Sequence, residues 1–275
     1  MIFQLFFAAL LALLPFPAYG ESPGFNPDFG CTLQTDLIAD WKLEEASGTR
    51  LDELNGCGGT GCDLTDNNTV TQAAGKQGNA GQFTRANTEY LSRADHADLS
   101  TGNISATWAV WVYLDTNTDA EMNILNQGWS GGTESYKISY TGGVGDEKFT
   151  FAVSNAPNEA TVTNTGVAAT ATWHLIIAWH DANADTINLQ RNNGAVSSVS
   201  FTFGMADSGS AFHIGALNGL TSPWNGRIDE PAFWKRILTA QERSDLYAGG
   251  VGNTYNGANV CLSSFVRRYN DANLH

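Results

Sequence analysis

The chain has 275 residues, 14 basic against 28 acidic, for a formal charge of −14. That balance argues against nucleic acid or an anionic membrane surface as a partner, and it leaves carboxylates for a hard cation such as calcium. Only 15% of residues are charged, and Gly, Ser, Thr and Asn fill the gaps between apolar runs, as in turn-rich β proteins.

Residues 1–20 carry an apolar run from Leu5 to Leu14, then Pro15 and Pro17, and end in Ala18-Tyr19-Gly20. Ten apolar residues are too few to span a bilayer, and small residues at the end suit a signal peptidase. A cleaved secretory signal is expected, although no Lys or Arg precedes Lys42. Residues 21–36 are rich in Pro, Gly and Asn without periodicity and are expected to form an extended arm.

The domain is expected over 37–250. Leu37, Ala39, Trp41 and Leu43 alternate with Ile38, Asp40, Lys42 and Glu44, as in a half-buried strand. A loop rich in Gly, Asn and Asp follows, through 51–71. Ile104 to Leu114 is apolar on both sides, like a central strand between two covered faces. Further strands are expected at 122–127, 136–140, 148–154, 160–164, 172–181, 186–191, 195–203 and 211–216, separated by Gly, Asn and Pro turns. Near the end, Ile228, Glu230 and Ala232 alternate with Asp229, Pro231 and Phe233. Thr239 and Glu242 then form the T-x-x-E box of a helix start, and Gly249-Gly250 a helix end. This is the one helix expected. Residues 251–275 carry no motif and read as a tail.

Four cysteines allow three pairings. The glycines of C-G-G-T-G-C let the chain fold back and join Cys57 to Cys62. A thiolate metal site is a poor match, since it needs four ligands close together.

Several landmarks resemble the laminin-G-like domains of the concanavalin A-like lectin/glucanase superfamily. They are W-K-L-E-E-A-S-G-T from Trp41, G-K-Q-G-N-A-G-Q-F from Gly75, T-E-Y-L at 88–91, A-V-W-V at 109–112 and W-H-L at 173–175. H-I-G at 213–215 and G-R-I-D-E with L-T-A-Q-E, from Gly226 and Leu238, complete the series. The resemblance implies an all-β, two-sheet antiparallel jelly-roll sandwich closed by one short C-terminal helix. Such a fold brings the terminal segments together, which implies a second disulfide, Cys31–Cys261.

For function, the resemblance implies two possible sites. In related jelly rolls the Asp of the late I-D strand holds a structural calcium with early segments, which here are Glu44 and the loop containing Asn87. Asp229 has that position; otherwise it caps backbone N–H groups. Sugar binding uses exposed aromatic faces, and Trp129 and Trp224 lie in loops, with Tyr136 and Tyr140 as second choices. Trp41, Trp108, Trp111, Trp173, Trp179 and Trp234 fall in strand patterns and read as core. His174 and His180 stand about 20 Å apart along one strand, too far to share a metal. The E-x-D-x-x-E carboxylates of the superfamily's glucanases are missing. The expected function is therefore a secreted, non-catalytic module that binds a glycan or polysaccharide. The alternative is a structural or protein-binding extracellular component with a surface protein as partner.

Overall fold

The computed structural model describes residues 29–253, apart from 55, 60, 117–120, 130–133, 143–146, 165 and 219. The expected signal segment and Cys261 lie outside the described residues, so the Cys31–Cys261 pairing does too.

Two antiparallel sheets form a sandwich. The larger has the order β13 (Val196–Ser200), β12 (Thr186–Arg191), β11 (Trp173–Asp181), β6 (Ala106–Leu114), β15 (Gly226–Trp234), β4 (Asn79–Phe83) and β3 (Thr71–Ala74), with β1 (Leu37–Asp40) also paired to β15. The smaller runs β10 (Asn158–Thr163), β9 (Lys148–Asn155), β8 (Tyr136–Thr141), β7 (Met122–Gln127), β14 (Phe212–Ile214), β5 (Tyr90–Arg93) and β2 (Thr65–Asn67). The expected strands all form, with ends shifted by a few residues. No helix among the described residues is long and apolar enough to cross a membrane.

Alternation along each strand sends one set of side chains into the space between the sheets. That set includes Val110 and Val112 of β6, Tyr136, Ile138 and Tyr140 of β8, Phe149, Phe151 and Val153 of β9, and Phe212 and Ile214 of β14. Trp108 lies at its centre, with ring centroids 4.3 Å from Tyr136 and 5.3 Å from Phe233. A second apolar layer covers part of the larger sheet's outer face. There Ala109, Trp111, Leu175, Ile177, Trp179 and Trp234 pack with Leu33 of α1 (Phe29–Gln34) and Leu246 of α3 (Ala240–Tyr247).

The helix α1 corrects the expected extended arm. The Trp234 indole N–H donates to the Leu33 carbonyl at 2.7 Å, and Arg236 donates to the carbonyls of Thr32 and Thr35. These contacts are long-range, so local periodicity does not reveal them. The capping box of α3 forms as expected: Thr239 Oγ1 accepts from the Glu242 N–H at 3.2 Å, and Glu242 Oε2 accepts from the Thr239 N–H at 2.7 Å. The Cys57–Cys62 disulfide also forms, around the short segment α2 (Gly56–Gly59), whose Cys57, Gly58 and Gly59 have positive φ. Asp52 holds that loop, because its Oδ2 accepts from the N–H groups of Gly56 and Cys62 at 2.9 and 3.1 Å.

Two irregularities change which face a residue takes. β15 carries a bulge between Asp229 and Ala232, and β1 one between Leu37 and Ala39. Each inserts an unpaired residue and breaks strict alternation. Ile228 and Phe233 therefore both face the core, while Asp229, paired with Trp111, and Ala232, paired with Ala109, face outward. Leu37 likewise joins the outer layer instead of facing inward with Ala39 and Trp41. Glu230, in the bulge, has φ +50.

Candidate ligand-binding face and the carboxylate junction

The smaller sheet is apolar inside and polar outside. Since Tyr136, Ile138 and Tyr140 face the core, Lys137 and Ser139 face out, and register places Lys137 opposite Asn126 and Ala152, with Ser139 opposite Thr150. His213 pairs with Asn126 and with Ser92 on that same face. One network ties these groups together. Lys137 Nζ lies 4.8 Å over the half-buried Trp129 ring and donates to Glu121 Oε1 at 2.7 Å. Ser139 Oγ donates to the same oxygen at 3.1 Å and lies 2.8 Å from Thr150 Oγ1. The indole face, ammonium and carboxylate thus form one partly exposed patch, held from beneath by the buried hydroxyls of Ser139 and Thr150. Beside it, His213 Nδ1 and Asn123 Oδ1 are buried and make no hydrogen bond. Burial lowers the His213 pKa, so the ring is neutral at neutral pH and offers one donor and one acceptor.

Of the four expected sugar-contacting aromatics, only Trp129 reaches this surface. Trp224 is 0% exposed, its backbone N–H fixed to the Gly215 carbonyl at 2.7 Å, and Tyr136 and Tyr140 are 1% and 0% exposed. The three are core residues, because the loop before β15 folds inward and β8 turns its tyrosines toward β6. The outward, polar side of β8 carries Lys137 and Ser139, the other parity of the same strand. The apolar alternation Phe149, Phe151, Val153 in the neighbouring strand was the signal that could have found it.

Asp229 occupies the point where β15 changes partner from β4 to β1. It is fully buried, and its Oδ2 accepts from the backbone N–H groups of Lys76 and Gln77 at 2.7 and 3.0 Å. Glu44 serves another segment: its Oε2 accepts from the Asn79 backbone N–H at 3.0 Å and from Nδ2 at 2.9 Å. Gly78, at φ +49, leaves no room for a Cβ against that carboxylate. Asn87 donates to Glu89 Oε1 at 2.8 Å, in a turn tied to Asn225 before β15 begins. Asp229, Glu44 and Asn87, the expected calcium set, thus each hold a different backbone or side-chain partner, and Glu44 is near enough for its charge to act on Asp229. Asp229 Oδ1 is buried and makes no hydrogen bond.

Other groups have structural partners. His174 Nε2 lies 2.8 Å from the Ala169 carbonyl and His180 Nδ1 2.7 Å from that of Ile104. Among the described residues, Cys57, His96 and Asp98 bring three potential ligand atoms within 4.8 Å of one another. The Cys57 sulfur is bonded to Cys62 and offers no thiolate.

Residues 85–242, more than half of the chain, match the Laminin_G_3 family model of the concanavalin A-like lectin/glucanases superfamily. The chain belongs to this family. No curated protein matches the sequence. Among solved structures, this laminin-G-like domain is similar to the binding domain of Paraclostridial Mosquitocidal Protein 1. The TM-score is 0.62 at 12% identity, covering 78% of this chain and 52% of that one. It is also similar to domain 4 of AbnA, an extracellular arabinanase from Geobacillus stearothermophilus, in complex with arabinotriose. There the TM-score is 0.58 at 17% identity, covering 79% of this chain and 98% of that one. A third is the botulinum neurotoxin serotype D ligand binding domain in complex with N-acetylneuraminic acid, with TM-score 0.60, 10% identity, and 80% and 52% covered. The laminin-G-like domain spans about half the length of the toxin domains and nearly all of the arabinanase domain. At these identities the likeness concerns the fold.

Proposed function

We propose that this laminin-G-like domain is a secreted, non-catalytic carbohydrate-binding module whose ligand lies across the outer face of the smaller sheet. The observation that carries this reading is the joined patch of Trp129, Lys137, Glu121, Ser139 and Thr150. An indole face suits the apolar C–H side of a sugar ring, while the ammonium and the carboxylate, which the buried Ser139 hydroxyl holds in place, exchange hydrogen bonds with its hydroxyls. Complexes of similar folds with arabinotriose and N-acetylneuraminic acid support the ligand class. Strands β7, β8 and β9 contain no Asp or Glu, which supports binding without glycoside cleavage.

A glycan array and polysaccharide pull-down on the purified chain test the reading. Saturable binding that Trp129→Ala weakens about 10- to 100-fold, with the melting curve preserved, is the expected result. Failure to bind plant, algal, bacterial and animal glycans would sink it. A protein-binding role is the second reading, favoured by exposed Val196 and Val199 on edge strand β13 and by Phe203 nearby. A saturable protein partner that no sugar displaces would select it.

A further inference from the structure

We infer that the larger sheet carries a second saccharide-binding surface on its outer face, so that one domain holds two neutral glycan chains on opposite sides. This rests on the carbohydrate-binding reading and adds bridging to it.

The two outer faces point away from each other across the sandwich. On the larger sheet, Trp111 and Tyr113 share the outer face, and register extends from Tyr113 to Arg227 on one side and Trp173 on the other. Arg227 pairs in turn with Gln82, and Gln82 with Thr71. The row Thr71, Gln82, Arg227, Tyr113, Trp173 crosses five adjacent strands, about 19 Å at the usual strand spacing. The outer layer under α1 and α3 buries Trp111 and Leu175, two residues further along their strands, and Ala109 and Trp234 beyond them. Trp173 packs against the edge of that layer, and along the row Tyr113, Trp173, Arg227 and Gln82 are half-buried and Thr71 is exposed. Trp173, whose strand pattern reads as core, is half-buried at the rim of the outer layer.

The side chains are arranged for contact with a ligand. The Arg227 guanidinium lies 4.5 Å over the Tyr113 ring, and the Tyr113 and Trp173 ring centroids are 5.5 Å apart. Arg227 Nε donates to Gln82 Oε1 at 3.3 Å and Nη1 to the Ala74 carbonyl at 3.1 Å. Those bonds fix the fork and leave Nη2 without a hydrogen bond among the described residues. Gln82 Nε2 donates to Asp115 Oδ2 at 3.0 Å, so a cation and an anion are linked through one amide. Their charges offset each other locally. The row offers aromatic faces, free guanidinium donors and carboxylate acceptors with no net charge. This suits hydroxyl-rich neutral sugars, because each hydroxyl both donates and accepts, and gives no advantage to an acidic chain. The width of the row fits an oligosaccharide segment rather than one ring.

The test uses the full chain with three neutral polysaccharides, arabinan, xylan and mixed-linkage β-glucan, and acidic polygalacturonate. Bridging predicts that the protein precipitates at least one neutral polysaccharide, and that calorimetry with its oligosaccharide gives two sites per chain. Trp173→Ala, and separately Gln82→Ala with Arg227→Gln, should each leave one site and abolish precipitation while binding persists. Trp129→Ala should do the same from the other face. Thermal melts identify any variant that fails to fold; the Gln82 and Arg227 changes, being on the surface, keep the test decisive if Trp173→Ala does not. One site per chain that Trp129→Ala removes would retain the module and overturn the second surface. Preference for polygalacturonate would overturn the neutral-ligand chemistry. Binding of none of the four would overturn the bridging inference, while a positive array result would still leave the first reading standing.

Discussion

Asp40 of β1 and Glu230 of β15 line one small cavity with Trp111, Trp234, Leu175 and Leu246, and neither Asp40 Oδ2 nor Glu230 Oε1 makes a hydrogen bond. The two residues are 1% and 8% exposed. Burial, moderated by Lys42 and reinforced by Glu53 and Asp52, raises the Asp40 pKa to about 7. Burial, with Asp40 and Asp229 nearby, raises that of Glu230 to about 9. A carboxyl whose pKa is raised on folding binds more protons in the native state, so its charging at higher pH destabilises the fold. Stability should fall as pH climbs from the unfolded values near 4 through 7 and toward 9. Glu242, held low by Arg236 and the Thr239 N–H against its own burial, acts in the opposite sense and loses its contribution only as pH drops below about 4.5. Melting temperature should therefore peak near pH 5 and decline by at least about 2–4 °C toward pH 9, the shift for roughly 1 kcal/mol in a domain of this size. Glu230→Gln should flatten that decline. A melting curve that rises between pH 5 and 9 would show that these carboxyls are solvated in the native state.

Asp229 acts in the same junction through geometry. Its carboxylate joins the turn at Lys76 and Gln77 to the strand where the sheet changes partner. Asp229→Ala leaves two N–H groups without that acceptor and should cost about 1–3 kcal/mol. Because Glu44 and Asn87 are committed elsewhere, the loss should be equal with chelator and with added calcium. A native melting temperature that falls with chelator, recovers with calcium and loses both responses in Asp229→Ala would establish a cation at this junction.

Much of the fold is legible in the sequence because the core strands keep strict alternation. Val110 and Val112, or Phe149, Phe151 and Val153, are apolar at every second position and stay on one face. Legibility fails where an extra residue intervenes. The bulges in β1 and β15 reverse the parity of Leu37 and of the residues after Asp229; Pro231 is a local mark of the second, and the first has none. The site is less legible for a related reason. Trp129 stands out as a loop aromatic, but Lys137 and Glu121 become a pair only when β7 and β8 are placed side by side. Trp224 shows that a loop does not guarantee exposure: the segment before β15 passes back over Gly215 and buries the ring.

The Cys57–Cys62 bridge closes a loop five positions long. Restricting so short a loop in the unfolded chain is worth on the order of 2 kcal/mol. The loop also supports the core, since the Trp41 indole N–H donates to the Cys62 carbonyl at 2.8 Å and Trp41 stacks on Phe212 at 5.3 Å. Replacing both cysteines with serine should lower stability by about that amount while the sheets remain paired. Non-reducing peptide mapping should recover Cys57 joined to Cys62. Recovery of Cys31 joined to either would overturn the pairing.

Paired substitutions can separate the core of the smaller sheet from its proposed ligand-binding face. Tyr136 and Lys137 are adjacent but point to opposite sides, Tyr136 against Trp108 and Lys137 toward Trp129 and Glu121. Tyr136→Ala opens a cavity beside Trp108 and should cost about 3–5 kcal/mol, as for a buried aromatic. Any loss of sugar binding should follow the fraction unfolded. Lys137→Met keeps much of the side chain's bulk but removes the cation that faces Glu121 and lies over the indole. It should change the melting temperature little, since a part-exposed ion pair contributes about 0–1 kcal/mol. It should nevertheless weaken glycan binding roughly tenfold, about 1.4 kcal/mol, while Tyr136→Phe binds as the native chain does. Equal binding by Lys137→Met and the native chain would move the saccharide off this face, whatever Trp129→Ala does.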